Sequence, residues 1–361
     1  MKIFDSFKLA AIDLKNRVVM APMTRSRAPG NLANPLVVEY YAQRAGAGLI
    51  ISEGVSPSPN GLGYARIPGF YSAQQTLSWQ PVANAVHAQG GRIFVQLMHS
   101  GRVGNRLNLP SDAELVAPSA VAVSGKIWTD RQGEQSYDMP REMTADDIAM
   151  TVEEYAQAAR NVILAGCDGV EIHGANGYLI TQFLDPKSNL RSDAYGRDAA
   201  GRNRFALEVA KAVTSAIGAG RVGIRLSPYG VFNDMGGDYA GIADQYITLA
   251  AGLGRLKLAY LHLVDHSAIG APKPDQATVS AMCREFRAAG GGAIILSGGY
   301  DRERANADIT SGAADLVAFG RPFIANPDLV SRLKSGAPLA VPDQATLYTP
   351  GAKGYTDYPV A

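Results

Sequence analysis

Three hydrogen-bonding side chains follow one short apolar run in the middle of the chain. The segment VEIHGANGYLITQFLDP, residues 170–186, begins with the pattern of a buried strand and then presents His173, Asn176 and Tyr178 between glycines. A separation of three residues would place His173 and Asn176 on one face of a helical turn, where their N–H groups could stabilise a negatively charged oxygen. Tyr178 does not share that face. A histidine at a strand end is also common as a purely structural residue.

Glycines and an arginine follow two later apolar runs and could hold a phosphate. Ser297-Gly298-Gly299 comes after one run and Gly320-Arg321 after the next. Glycine allows close approach of the backbone, and a guanidinium group can donate two hydrogen bonds to phosphate oxygens. Ordinary turns with a surface arginine are the alternative, but the two loops together favour a phosphate site at a helix N-terminus.

Eight short β-rich runs would position these residues, at 17–20, 48–52, 92–97, 169–172, 222–226, 260–264, 293–296 and 316–319. Helical periodicity lies between them, at 73–88, 144–165, 202–217, 240–252 and 274–289. This alternation predicts a parallel sheet closed into a (β/α)8 TIM barrel, whose functional residues lie at the carboxyl ends of the strands. A long excursion at residues 98–141 follows the third strand, and a loop of this length usually covers a site.

Composition limits the kind of partner. The chain has 361 residues with 47% apolar and 19% charged residues, and its net charge of +1 gives no electrostatic footprint for nucleic acid or an anionic membrane. No run is long enough to span a bilayer, and the first residues lack a signal peptide's apolar stretch, so we expect a cytoplasmic protein. Cys167 and Cys283 form no CxxC pair, which disfavours a disulfide framework or a metal centre. We expect a small-molecule partner and no metal.

The chain resembles the old yellow enzyme family of FMN-dependent ene-reductases in the segments NRVVMAPMTRSRA, YYAQRA, GLIISEG, VQLMHSGR, EIHGANGYLITQFLDPKSNLRSDAYGRDAAGRNRF, GIRLSP, VAFGRPFIANPDL and GYTDYP. These segments extend from about Asn16 to Pro359, nearly the whole chain. Thr24 after Pro-Met is similar to the Thr-containing branch of the family. The resemblance implies a single FMN-binding barrel domain over residues 1–361, with NADPH or NADH as hydride donor.

The resemblance also implies cofactor contacts at the strand ends. Thr24 would donate its hydroxyl to the flavin C4 carbonyl, although an ordinary turn or cap would explain it equally. Gln96 would read the pyrimidine edge of the flavin, or be a buried glutamine satisfied by backbone. Arg225 would neutralise negative charge on the reduced flavin, or pair with a buried carboxylate. The other implied contacts are Pro22, Met23, Gly54, Gly298, Gly299, Gly320 and Arg321.

Substrate contacts follow from the same resemblance. His173 and Asn176 would hold the substrate's carbonyl oxygen, and Tyr178 would protonate its α-carbon. Tyr64 and Tyr348 match aromatic positions of the pocket wall. Many relatives have histidine where Asn176 stands, but asparagine is still a competent donor.

The implied activity is reduction of the C=C bond in α,β-unsaturated carbonyl or nitro compounds, such as enones and nitroalkenes. Met98 stands where relatives often have an aromatic residue, which changes the pocket volume. The alternatives are a nitrate-ester or nitroaromatic reductase, a non-catalytic flavin-binding protein, and a flavin-free sugar-phosphate enzyme, which would need a central lysine or metal. We expect a monomer or a homodimer.

Overall fold

Eight parallel strands form a closed barrel at the centre of the computed structural model, which describes residues 1–360. The strands in chain order are β1 (Phe7–Leu9), β2 (Ile12–Leu14), β3 (Val18–Met20), β4 (Leu49–Val55), β5 (Ile93–Leu97), β6 (Val116–Ala117), β7 (Lys126–Thr129), β8 (Gly133–Ser136), β9 (Arg141–Glu142), β10 (Gly169–Gly174), β11 (Val222–Leu226), β12 (Tyr260–Val264), β13 (Ala293–Ser297) and β14 (Leu316–Phe319). The barrel consists of β3, β4, β5 and β10 to β14, and β14 pairs with β3. The predicted (β/α)8 TIM barrel is confirmed.

Each barrel strand corresponds to one of the eight predicted runs, but two strands continue further than their apolar residues do. β4 extends to Val55 and β10 extends to Gly174. In β4 the register with β5 shifts between Ile51 and Gly54, and pairing resumes with Gly54 opposite Gln96. Neighbouring strands supply hydrogen bonds to these polar ends, which local hydrophobicity does not reveal.

The helices are α1 (Pro35–Gln43), α2 (Ala73–Ala88), α3 (Ala145–Leu164), α4 (Leu179–Leu184), α5 (Ala199–Ile217), α6 (Ile242–Arg255), α7 (Gln276–Ala288), α8 (Arg302–Ser311), α9 (Arg321–Ala325) and α10 (Leu329–Ser335). The five predicted helices correspond to α2, α3, α5, α6 and α7. All six residues of α4 are buried, so its sequence lacks the alternation of apolar and polar positions that indicates a helix. None of the helices within residues 1–360 is long and apolar enough to cross a membrane.

A capping box opens α3. The Asp147 N–H donates to the Thr144 hydroxyl at 3.1 Å, and the Thr144 N–H donates to the Asp147 carboxylate at 2.7 Å. The aspartate therefore takes the place of the glutamate or glutamine that most capping boxes have at this position. The box fixes the point where the chain leaves the excursion and enters the fourth barrel unit.

An apolar plug fills the amino end of the barrel. Leu9 and Leu14, from the β1–β2 hairpin, belong to one buried cluster with Phe94, Tyr260 and other residues near the beginnings of the barrel strands. A Cβ atom at Gly223 would lie 2.1 Å from the Tyr260 ring, so only glycine leaves room for this side chain. With this end filled, polar side chains can gather only at the carboxyl end.

The excursion at residues 98–141 contains two small sheets. β6 pairs with β9 in parallel, and β7 and β8 form an antiparallel hairpin. Arg66, which follows β4, forms an ion pair with Asp130 in the hairpin turn. Its guanidinium group also donates to the Tyr348 carbonyl at 2.8 Å. One arginine therefore ties the hairpin to the C-terminal segment.

A buried arginine cluster, made of Arg25, Arg27 and Arg44, anchors that C-terminal segment beside the barrel. Arg27 is 1% exposed, and burial together with the positive charge of Arg25 lowers its pKa to about 10, so it stays protonated at neutral pH. Its guanidinium group donates to the backbone carbonyls of Arg25, Thr346, Leu347, Gly351 and Lys353. Tyr348 is thereby held near the carboxyl end of the barrel.

Replacing Arg27 with methionine should weaken this anchor strongly. The Leu347 and Thr346 carbonyls keep donors from Arg25 and Thr349, and each of the other three carbonyls that loses its donor costs about 1–3 kcal/mol, so we expect the free energy of unfolding to fall by at least about 3 kcal/mol. Urea denaturation would measure the loss, and limited proteolysis would show early cleavage after residue 345. Arg131→Met, which removes an exposed arginine from the hairpin turn, is the control and should change neither result. A normal unfolding curve for Arg27→Met would show that the anchor contributes little.

Candidate active site

Two adjoining cavities open at the carboxyl end of the barrel. The first, here called the aromatic cavity, has a volume of about 810 Å³ and contains most of the predicted polar residues. The second, here called the glycine cavity, has a volume of about 590 Å³ and is bounded by the loops after β12, β13 and β14. Both cavities are lined by Pro22, Thr24, Asn176, Arg225, Gln344 and Tyr348. They therefore form one continuous site with two ends.

The structure brings nearly all the predicted site residues to these two cavities. The aromatic cavity is lined by Pro22, Thr24, Tyr64, Gln96, Met98, His173, Asn176, Tyr178, Arg225 and Tyr348, and the glycine cavity adds Met23, Gly298, Gly299, Gly320 and Arg321. Gly54 lines neither cavity. A Cβ atom at this position would lie 2.5 Å from the Met98 sulfur, so Gly54 makes room for Met98 to reach the cavity wall.

His173 presents an N–H group to the aromatic cavity. Its Nδ1 accepts a hydrogen bond from the Ala175 N–H at 3.3 Å, so the ring proton belongs on Nε2. Burial lowers the pKa of His173 well below its usual value, and the positive charge of Arg225 acts in the same direction. The imidazole is therefore neutral at neutral pH and acts as a hydrogen-bond donor through Nε2.

Asn176 reaches the same cavity, but not by way of a helical turn. His173 is the fifth residue of β10, Asn176 has a left-handed backbone with φ of 62°, and α4 begins only at Leu179. The prediction that helical spacing puts the two donors on one face is wrong. Asparagine tolerates this left-handed conformation better than most residues. Ser227 accepts from its N–H at 2.9 Å and Asn233 donates to its carbonyl at 2.7 Å, which fixes the turn.

Tyr178 lies against both His173 and Tyr64. Its ring centroid is 4.9 Å from that of His173 in an edge-to-face arrangement, and its hydroxyl is 3.1 Å from the Tyr64 hydroxyl. Burial raises the pKa of Tyr178 to about 12, while the hydrogen bond from Tyr64 acts in the opposite direction. The phenol is protonated at neutral pH and has a proton to give.

Arg225 is a buried cation without a direct anionic partner. It is 6% exposed, its Nε has no hydrogen-bond partner within residues 1–360, and no carboxylate there lies within ion-pair distance. The alternative of a buried ion pair is wrong. The nearby Glu171 raises the pKa of Arg225 through its charge, against the larger effect of burial, which lowers it. The guanidinium group is thus available to an electron-rich or anionic ligand in the cavity.

Glu171 organises the polar floor of the barrel and is absent from the predicted site. It is fully buried and lies 2.8 Å from both Gln96 Nε2 and His262 Nδ1. Gln96 is therefore satisfied by a carboxylate rather than by backbone, and its amide oxygen is left for a ligand. Glu171 and His173 are two residues apart in β10, a spacing that puts both on one face of a strand and could have identified the glutamate.

The glycine cavity has the features of a phosphate site. Gly298 and Gly299 have φ of 121° and 62°, and a Cβ atom at Gly298 would lie 2.0 Å from the Asp265 carbonyl oxygen. Only glycine fits here, and it leaves the backbone open to a ligand. Arg321 begins α9, whose first turn has no side-chain cap at Gly320. Within residues 1–360 the Arg321 guanidinium has no hydrogen-bond or ion-pair partner.

The β7–β8 hairpin, part of the excursion that was expected to cover a site, supplies one wall whose residues the sequence does not identify. Lys126, Ile127, Trp128, Asp130 and Tyr137 line the aromatic cavity. The Trp128 ring is 56% exposed, and its N–H donates to Asp130 at 3.1 Å. Hairpin residues of this kind carry no local motif, because their role depends on the ion pair that folds them over the barrel.

Comparison with known proteins gives matches over nearly the whole chain. The family model described as NADH:flavin oxidoreductase / NADH oxidase matches residues 2–340. The chain is 42% identical to 12-oxophytodienoate reductase 7 of Oryza sativa subsp. japonica, over 99% of this chain and 94% of that protein. Among solved structures, morphinone reductase matches with a TM-score of 0.94 and 42% identity, over 99% of this chain and 96% of the other. The old yellow enzyme homologue from Zymomonas mobilis matches with a TM-score of 0.92 and 38% identity, over the full length of both.

Arg321→Ala should weaken the binding of FMN at the glycine cavity. A charge-assisted contact contributes about 1.5–3 kcal/mol, so we expect the dissociation constant to rise by about 10-fold to 150-fold. Quenching of flavin fluorescence on titration of the apoprotein would measure it. Riboflavin, which lacks the phosphate, is the matched control and should bind the variant as it binds the wild type. An equal loss for both flavins would place the effect elsewhere than on the phosphate.

Proposed function

The chain belongs to the NADH:flavin oxidoreductase / NADH oxidase family and reduces the C=C bond of activated alkenes with FMN and a nicotinamide hydride donor, and we propose that His173, Asn176 and Tyr178 carry this reaction. The observation that supports the assignment is the meeting of two N–H donors and one protonated phenol in the aromatic cavity.

The two cavities suit FMN. The unpaired guanidinium of Arg225 lines both cavities, and Gly298, Gly299 and Arg321 line the glycine cavity. We propose that Gln96, Thr24 and Arg225 hold the flavin ring, that Gly298, Gly299, Gly320 and Arg321 hold the phosphate, and that Pro22 and Met23 pack along the cofactor. Bound by these residues, FMN would supply the hydride chemistry, in which a hydride from NADPH or NADH is delivered to the β-carbon of the alkene.

His173 and Asn176 bind the oxygen of the substrate. The neutral imidazole donates from Nε2, and the amide donates from Nδ2, for which residues 1–360 offer no other acceptor. Two N–H groups stabilise the negative charge that develops on a carbonyl or nitro oxygen as hydride adds. Because both donors are fixed before the substrate arrives, they need no reorganisation during the reaction.

Tyr178 supplies the proton. Its hydroxyl is protonated at neutral pH, and Tyr64 holds it through the hydroxyl–hydroxyl contact. Proton transfer to the α-carbon completes the saturated product and leaves a phenolate that takes a proton from solvent through Tyr64. Tyr64 is thus both a wall residue and part of the proton path.

The walls of the aromatic cavity favour a mainly apolar substrate. Met98 packs in a buried cluster with Leu62 and Ile67, and Tyr64 and Tyr178 lie against that cluster. Trp128 and Tyr348 are exposed at the mouth of the cavity. We propose an α,β-unsaturated carbonyl compound with a bulky apolar body. A single domain over residues 1–361 covered by the 98–141 excursion, the Thr-containing branch, a cytoplasmic location and a monomeric or homodimeric state remain predictions.

The two N–H donors should bind phenols as phenolates. Such a ligand gives a long-wavelength charge-transfer band with the oxidised holoenzyme, because paired donors favour the anionic form. The double variant His173→Ala/Asn176→Ala should lose this band while it keeps FMN. Spectral titration with p-chlorophenol would measure it, with His87→Ala as a control remote from the site. A band of unchanged strength in the double variant would refute the assignment of the donor pair.

Tyr178→Phe should separate the two half-reactions. Reduction of the enzyme by a nicotinamide should proceed at nearly the wild-type rate, because the hydroxyl takes no part in it. The reaction of the reduced enzyme with an enone should slow by roughly 10²-fold to 10⁴-fold, the usual contribution of a placed general acid. Stopped-flow absorbance would follow each step. Equal slowing of both steps would indicate damaged packing, and an unaffected enone step would show that another group gives the proton.

A further inference from the structure

His266 contacts the proposed donor pair from the glycine cavity. It follows β12, lines the glycine cavity, and places its Nε2 2.7 Å from Asn176 Oδ1. Its ring packs edge-to-face on Phe232, with centroids 4.6 Å apart. The next residue, Ser267, donates its N–H to Asp265 at 2.7 Å and so fixes the turn. His266 is therefore held in place from two sides.

The contact decides which end of the Asn176 amide faces the substrate. In the 2.7 Å contact the amide oxygen faces the ring, and because an amide oxygen can only accept, the ring proton is assigned to His266 Nε2. With its oxygen engaged there, the amide keeps Nδ2 without a partner within residues 1–360, and Asn176 lines the aromatic cavity, where Nδ2 can donate to a substrate. The opposite orientation would point the amide oxygen at the negatively charged oxygen of the substrate and repel it. In an isolated asparagine, the two orientations of the amide differ little in free energy.

We propose that His266 is a positioning residue that locks the Asn176 amide with its N–H groups toward the substrate oxygen. This inference rests on the proposed role of Asn176. Burial lowers the pKa of His266 to about 4, and the charge of Arg225 acts in the same direction. The ring is thus neutral at neutral pH and has one N–H, which this contact uses.

The hydrogen bond between His266 and Asn176 also connects the two cavities. His266 lines the glycine cavity together with Gly298 and Arg321, while Asn176 lines both cavities. His266, which lines the glycine cavity, thereby orients the amide of Asn176, which is the hydrogen-bond donor in the aromatic cavity. Removing it should leave the shape of the aromatic cavity intact and affect only the orientation of one amide.

The test compares His266→Leu with His266→Gln in the FMN-loaded enzyme. Leucine removes the donor, whereas the glutamine amide can place an N–H close to the former Nε2 position. We expect the dissociation constant of p-chlorophenol, read from its charge-transfer band, to rise about 10-fold in His266→Leu, in line with the loss of a hydrogen bond of about 1.4 kcal/mol. In His266→Gln it should stay within about 3-fold of the wild type. His87→Leu, which removes a histidine that is hydrogen-bonded to Asp168 and lines neither cavity, should leave phenol binding unchanged.

A double-mutant cycle gives the decisive result. In an Asn176→Ala background, His266→Leu should have no further effect on phenol binding, because the amide that it positions is gone. An equal 10-fold loss in that background, or a loss in His266→Gln as large as in His266→Leu, would overturn the inference. If Asn176→Ala weakens phenol binding while His266→Leu does not, the positioning role fails and the donor role of Asn176 stands. Unchanged binding in Asn176→Ala would overturn the donor role and this inference together.

Discussion

The unpaired charge of Arg225 is the constraint on which the site depends. A cation in the interior of a protein is costly unless an anion or several acceptors compensate it. Glu171 is near enough to influence Arg225, yet its oxygens are engaged by Gln96 and His262. The barrel floor therefore supplies partial compensation and leaves the guanidinium free to bind a ligand. Burial keeps His173 and His266 neutral, and the charge of Arg225 acts in the same direction, so that both rings act as donors and not as cations.

The barrel could be predicted from the sequence because strands buried on both faces appear as continuous apolar runs. Those runs located all eight strands, and the residues after them led to the cavities. Spacing alone gave the wrong geometry for Asn176, since a left-handed residue outside any helix has no periodic signal. The end of β10 was missed for a related reason. Its polar residues are strand because β11 pairs with them, with His173 opposite Arg225.

Other parts of the site depend on contacts that no local pattern contains. Trp128 reaches the cavity because long-range contacts place the hairpin over the barrel, among them the Arg66–Asp130 ion pair and the bond from Asn108 to the Trp128 carbonyl. His266 matters through its contact with Asn176, a residue 90 positions away. The resemblance to a known family indicated which residues meet the cofactor, whereas the structure added Glu171 and His266, which hold other residues in place. Positioning residues of this kind are harder to identify because their chemistry is indirect.

The arginine anchor affects the order in which the barrel and the wall of the site can form during synthesis. Arg27 lies in the loop after the first barrel strand, and its bond to Lys353 joins residues 326 positions apart. Ribosomes add about 5–20 residues per second, so this loop must wait roughly 15–65 seconds for its partner to be synthesised. Before residue 346 is made, the chain already contains all eight barrel strands, while Arg27 lacks four of its five backbone acceptors and one cavity wall is missing. A nascent chain that stops short of the anchor would thus have a barrel with an incomplete site.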